Sequence, residues 1–103
     1  MKPLLEKEIQ SAILEYLRYR KIFAWKQNTA GIMKANGSYI PAGMRGVSDI
    51  IGILPKGRFL AVEVKRKGKQ PTEEQKLFLA RISANGGLAF VAWSLDDVIK
   101  RIP

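Results

Sequence analysis

The sequence predicts an α/β domain in which helices pack on a mixed β-sheet, in the order α-β-(hairpin)-β-β-α-β-α. Three observations predict it. Apolar residues recur at three- and four-residue steps across Leu4–Arg20, short runs of β-forming residues are separated by turn signals, and Thr72 and Ser94 stand where each would cap a further helix.

The first helix is expected from Leu4 to about Arg20, since Pro3 suits a first helical turn and Leu5, Ile9, Ala12, Ile13 and Tyr16 line one stripe. Glu8 and Glu15 lie on one edge of that stripe and Glu6 on the other. Ile22–Gln27 is rich in β-formers and reads as a short strand. Asn28–Val47 is a basic, glycine-rich excursion with glycines at 31, 37, 43 and 46, and Asn36-Gly37 is a two-residue hairpin signal between Ile32-Met33 and Tyr39-Ile40. A strand over Ile50–Leu54, a turn at Pro55-Lys56-Gly57 and a second strand from Arg58 to about Lys65 follow. The charged loop Arg66–Pro71 leads into a helix from Thr72 to Asn85, which Gly86 ends. Leu88–Trp93 is almost wholly apolar and reads as an interior strand. Ser94 then caps a last short helix, whose Asp96 and Asp97 favour the positive end of its dipole.

Composition narrows the chemistry. The 103 residues, 47% hydrophobic, suffice for one domain over 1–103 with one core. With no cysteine there are no disulfides, thiolate nucleophiles or Cys-ligated metals; with no histidine there are no Ser-His or Cys-His triads and no imidazole bases. Carboxylates, lysine and hard metal ions are what remain. Eighteen Lys and Arg against nine Asp and Glu leave a net charge of +9, the electrostatic footprint of a polyphosphate partner. No apolar run approaches the roughly 20 residues of a membrane span, and no export signal follows the start, so an intracellular, non-membrane protein is expected.

Pro55-Lys56-Gly57 predicts a three-residue hairpin loop, because proline suits the second position of a type I turn and the following glycine can take the left-handed conformation. Leu54 then pairs with Arg58, and antiparallel register counts back to Ile53–Phe59, Ile51–Ala61 and Asp49–Glu63. Two carboxylates distant in sequence thus face each other, with Cβ atoms about 4.5–5.5 Å apart. Like charges so placed destabilise a sheet, so one holds a proton or a cation lies between them. With no imidazole or thiolate in the chain, Mg²⁺ or Mn²⁺ suits the oxygen donors. Lys65 shares the face of Glu63 by strand alternation; Val64 points inward, and its carbonyl at the strand end is a further candidate ligand. A lysine so placed orients or deprotonates an attacking water, or stabilises charge developing on phosphate. Alone, Glu-x-Lys is a weak signal, and a strand-start aspartate near a surface charge pair is the plain alternative. The matching register, the missing histidine and the basic charge together favour function.

Gly46-Val47-Ser48-Asp49, then Glu63-Val64-Lys65, then Gln75 in the next helix resemble the PD-(D/E)-x-K nuclease superfamily, and more narrowly the virus-type replication-repair nuclease (VRR-NUC) family. The resemblance covers nearly the whole chain. It implies a restriction-endonuclease-like sheet and Mg²⁺- or Mn²⁺-dependent cleavage of DNA that leaves a 5′-phosphate. It also implies kinship with Holliday-junction resolvases, whose compact members are homodimers, so branched DNA is the implied substrate. Asp49 and Glu63 are the implied metal ligands, with the Val64 carbonyl as an addition, and Lys65 is implied to act on the attacking water. Glu8 would face the same pocket from the first helix, as a catalytic residue and candidate ligand, and Gln75 would support the site from the second. Helical geometry alone does not choose Glu8 over Glu6, since both flank the apolar stripe. Thr72-Glu73-Glu74-Gln75 is also a capping box, in which Gln75 bonds back to the N–H of the cap, and both readings of Gln75 stand.

Lys34, Arg45, Arg66, Lys67 and Lys69 flank the expected site and are candidates to grip the DNA backbone, Arg45 foremost. Ser48, where the family often places proline, joins them. Trp25, Tyr39 and Trp93 are candidates to stack on unpaired bases, although Trp25 and Trp93 lie in expected strands, where core packing is the expectation. The rival readings are a non-catalytic basic DNA-binding module, and a nuclease with the same site acting on other DNA or on RNA.

Overall fold

The computed structural model describes residues 2–27, 32–40 and 44–103. Its elements are α1 (Glu6–Tyr19), β1 (Phe23–Lys26), β2 (Ile32–Met33), β3 (Tyr39–Ile40), β4 (Ile50–Leu54), β5 (Arg58–Val64), α2 (Glu73–Ala84), β6 (Leu88–Ala92) and α3 (Leu95–Arg101), in the expected order. Asn28, Gly31 and Gly43 lie outside the described residues, as does the Tyr39 side chain.

One sheet runs β1-β4-β5-β6, and β2-β3 form a separate ribbon. The β1–β4 and β4–β5 pairs are antiparallel and β5–β6 is parallel, so the sheet is mixed. Leu54 pairs with Arg58, Ile53 with Phe59 and Ile51 with Ala61, the register counted from the turn length. The turn type differs from expectation. Gly57 is left-handed at φ +78°, but Lys56 before it has φ +68° and ψ +18°. Those values belong to the third residue of a type II turn, not type I. Loop length, rather than turn type, sets the pairing. The β2–β3 loop also differs: the Gly37 N–H donates to the Lys34 carbonyl at 2.9 Å and the Lys34 N–H to the Ser38 carbonyl at 2.7 Å. The loop is therefore Ala35-Asn36-Gly37, with Gly37 left-handed at φ +87° after the turn, one residue longer than the Asn-Gly signal suggests.

Helices cover both faces of the sheet. α1 and α3 lie on one, where Ile9, Ile13 and Leu17 meet Ile50, Leu60, Val62, Val64, Phe90 and Val98. α2 lies on the other, with Leu79, Phe78 and Ile82 against Ile51, Ala61, Ala89 and Val91. Strand alternation therefore sends the even positions of β5 to α1 and the odd ones to the α2 side. Each large aliphatic so buried contributes about 1.5–3 kcal/mol. Trp25 and Trp93 are not core residues as expected; both stay more than a third exposed. The Trp93 indole instead donates to the Lys69 carbonyl at 2.8 Å and ties down the loop after β5.

Candidate active site

Asp49 immediately precedes β4, and Glu63 is the penultimate residue of β5. Extending the Ile50–Val62 pair by one position sets the two acids opposite each other. Asp49 Oδ2 accepts the Val64 N–H at 2.8 Å, taking over where the main-chain ladder ends and fixing the carboxylate at the strand end. Its carboxylate also neighbours that of Glu63. Glu63 is only 1% exposed. Its Oε2 lies 3.5 Å from Lys65 Nζ, and its Oε1 is buried with no hydrogen-bond partner. Burial above all, and then the neighbouring Asp49 carboxylate, push the Glu63 carboxyl up to about 8, against the opposing pull of the Lys65 ammonium.

A buried acid with an unpartnered oxygen beside a second acid is satisfied in one of two ways: it holds a proton or it shares a cation. Two carboxylates fit Mg²⁺, which is commonly held by one or two of them and completes its shell with water and phosphate. Among the described residues no three His, Cys, Asp or Glu side chains gather into a metal-binding group, so the pair is the protein's main offering. Lys65 also lines a cleft of about 370 Å³, together with Leu5, Glu6, Arg66, Lys69 and Gln70. Three cations and one acid on that wall suit a phosphodiester.

Residues 3–95 match the family model described as the VRR-NUC domain. The chain belongs to the VRR-NUC family of nucleases. A solved structure described as a VRR_NUC domain is 25% identical, with a TM-score of 0.66 over 92% of this chain and 90% of the other. A second, described as a VRR_NUC domain protein, is 23% identical, with a TM-score of 0.71 over 96% and 85% of the two chains. No curated protein matches the chain.

The first-helix glutamate of this VRR-NUC chain is placed differently from expectation. Glu8 does not line the cleft beside Lys65. Its Oε1 accepts the Leu5 N–H at 2.8 Å, half of a capping box in which Leu5 has no side-chain acceptor to complete the other half. It lines a separate groove with Ser11, Glu15 and Lys26. Glu6 borders the cleft instead, and its Oε2 lies 3.4 Å from the Arg66 N–H. Gln10, one turn further on, is a polar side chain that the sequence reading passed over: it is buried, and its Oε1 has no hydrogen-bond partner. Its signal was a polar residue set between Ile9 and Ile13 on the apolar stripe.

Gln75 occupies the capping box of α2. Its Oε1 accepts the Thr72 N–H at 2.8 Å, and its own N–H donates to Thr72 Oγ1 at 3.2 Å. Gly46 sits against this cap. It has φ +77°, and a Cβ there would run into the main chain of Glu74 and Gln75. The first turn of α2 thereby supports the loop that carries Asp49. Gly46→Ala is expected to cost about 2–4 kcal/mol in urea unfolding, from left-handed strain plus the clash; a loss below about 1 kcal/mol would mean the loop can move off the cap.

Ser48 cannot contact DNA as expected, because it is fully buried, with its hydroxyl unpartnered. Arg45 is exposed and 3.8 Å from Glu74, a loose pair that leaves its guanidinium in solvent. Lys34 is exposed on the β2–β3 loop. Arg66, Lys67 and Lys69 are exposed in the loop after β5, where the Lys69 N–H donates to the Arg66 carbonyl at 3.0 Å.

Proposed function

We propose that this chain is a divalent-metal-dependent endonuclease, a single nuclease domain over residues 1–103, that hydrolyses phosphodiester bonds in branched DNA inside the cell and works as a homodimer. The observation that carries the proposal is the buried Glu63 carboxyl, with one oxygen unpartnered, beside Asp49 and Lys65. Asp49 and Glu63 would hold Mg²⁺ or Mn²⁺, helped by the Val64 carbonyl, with Glu6 bordering the cleft beside them as a supporting group. Bound there, the ion supplies Lewis acidity towards the phosphate and the attacking water.

The chain's own groups do the rest. The Lys65 ammonium, held beside Glu63 and open to the cleft, donates to a phosphate oxygen or to the attacking water and so sets the line of attack. Arg66, Lys67 and Lys69 on one side, and Arg45 and Lys34 on the other, hold the phosphates that flank it. Water adds to phosphorus and the P–O3′ bond breaks, leaving a 5′-phosphate and a 3′-hydroxyl. One chain carries one acid pair and a junction needs two strands cut, which supports two chains per junction.

The test is cleavage of a synthetic four-way junction beside linear duplex, single-stranded DNA and RNA. The expected result is Mg²⁺- or Mn²⁺-dependent cutting, fastest on the junction, stopped by EDTA, from a protein that sediments as a dimer. Binding without cleavage at every ion concentration would leave a DNA-binding module, and preference for RNA would replace the substrate. Within this reading, Glu6→Ala should slow cleavage about 10- to 100-fold, as loss of a supporting group around a metal does. Glu8→Ala should leave the rate within about twofold and cost only about 0.5–1 kcal/mol of stability, the worth of a helix cap. A rate loss confined to the Glu8 variant would return the role to Glu8.

A further inference from the structure

α2 covers only part of the sheet face that bears Asp49 and Glu63. Along β1 and at the turn end of the β4–β5 hairpin that face is open: Phe23 is 69% exposed, Ile53 42%, Phe59 39% and Trp25 37%, whereas Ile51 and Ala61 lie buried under α2. The pairing register orders these side chains. Phe23, Ile53 and Phe59 stand opposite one another in one row; Trp25, Ile51 and Ala61 form the next; Asp49 and Glu63 follow at the position after that on the same face. Rows two residues apart lie about 7 Å apart along the strands. The aromatic surface therefore begins one row from the acid pair. Phe23 and Trp25 are in contact, with ring centroids 5.2 Å apart and planes tilted by 48°. The Trp25 indole N–H donates to Gln27 Oε1 at 3.0 Å, which fixes the ring against the strand.

We infer that this open edge of the sheet is a stacking platform for unpaired bases of the DNA substrate, reaching through Trp25 to within one row of the candidate active site. Stacking on aromatic faces is tolerant of sequence, since every base has a π-face, and it works beside a cationic backbone track. The charge around the platform supplies such a track. From Arg18 to Val62 the chain has one acid, Asp49, against eight lysines and arginines. Lys21 and Lys56 are exposed in the two turns at the far end of the aromatic row. The same charge argues against a second copy of this chain as the occupant, because like faces would bring two cationic surrounds together. The platform rests on the nuclease proposal for its substrate: unpaired nucleotides lie at the branch points of DNA, and here they would be held within a row or two of the acid pair.

Binding in EDTA tests this without requiring cleavage. The whole chain is titrated by fluorescence polarisation with a single-stranded oligothymidylate, a duplex of equal length and an abasic strand of equal length. Phe23→Ala and Trp25→Ala should each weaken single-strand binding about tenfold and leave duplex and abasic binding within about twofold. Trp25→Phe should keep most of the affinity, whereas Phe23→Leu, which retains apolar bulk without the ring, should lose it. Melting curves of each variant check folding. Equal losses on all three ligands, or no loss on the single strand, would overturn the inference. So would a dimer that falls apart in the Phe23 and Trp25 variants while single-strand affinity is kept, since the face would then belong to a second copy. A protein that shows the stacking pattern but never cuts removes the nuclease proposal and leaves the platform standing.

Discussion

Glu63→Gln and Asp49→Asn are each expected to lower Mg²⁺-supported cleavage by about 10³-fold, or about 4 kcal/mol of transition-state stabilisation, while affinity for the same DNA is kept or rises. Both changes preserve side-chain shape, so the fold survives: the Asn carbonyl can still accept the Val64 N–H that Asp49 Oδ2 now holds at 2.8 Å. What each removes is half of the negative charge that would retain a divalent ion. Affinity is kept or rises because that charge also repels phosphate, while the cations on both sides of the cleft are untouched. Lys65→Met provides the contrast. It deletes a donor to the phosphate or the water without deleting a ligand, so the rate should fall about 10²- to 10³-fold with Mg²⁺ affinity by calorimetry unchanged. Wild-type turnover in either acid variant would take that residue out of the site, and lost Mg²⁺ affinity in the lysine variant would make Lys65 a structural counter-ion instead.

The acid pair was legible in the sequence because two simple rules place it. A three-residue loop sets which residues pair, and the two-residue period of a strand sets which share a face. Neither depends on the turn being type I, so the left-handed Lys56 leaves the register intact. Which of Glu6 and Glu8 borders the Lys65 cleft was not legible. Both flank the same helical stripe, and what separates them is where the loop after β5 packs, seen in the approach of the Arg66 N–H to Glu6. For Gln75, the capping motif alone accounts for the contacts its carboxamide makes. Trp25 shows the limit of strand assignment, while Trp93 lies just past the end of β6 at Ala92. A strand residue is buried only if something covers its face, and one twelve-residue helix does not reach across four strands. Ser48 shows the converse, a polar loop residue enclosed because its neighbours on both sides are drawn into the core.

The melting temperature of the metal-free chain is expected to fall as pH rises from about 5 to about 8, and to stop falling in Glu63→Gln. The sign follows from proton counting. In the unfolded chain Glu63 ionises near 4.5; in the fold, burial first and Asp49 second push it up to about 8. Between those values the folded state holds a proton that the unfolded state has lost, so raising pH draws the equilibrium towards unfolding. Below about pH 4.5 both states hold the proton, and above about 8 neither does, so the slope is confined to that window. The stability at stake is on the order of a few kcal/mol, which for a domain of this size is a shift of at least about 10 °C. Gln at position 63 carries no proton to lose and should flatten the curve, leaving the variant more stable than wild type at pH 8.5 in EDTA. Added Mg²⁺ should raise the melting temperature of the wild type at pH 8.5 and have little effect at pH 5, where a proton already occupies the site; Asp49→Asn should lose most of that response. Parallel slopes in wild type and Glu63→Gln would show that Glu63 is ionised throughout and already neutralised by Lys65, and the acid pair would then have no unmet need for a cation.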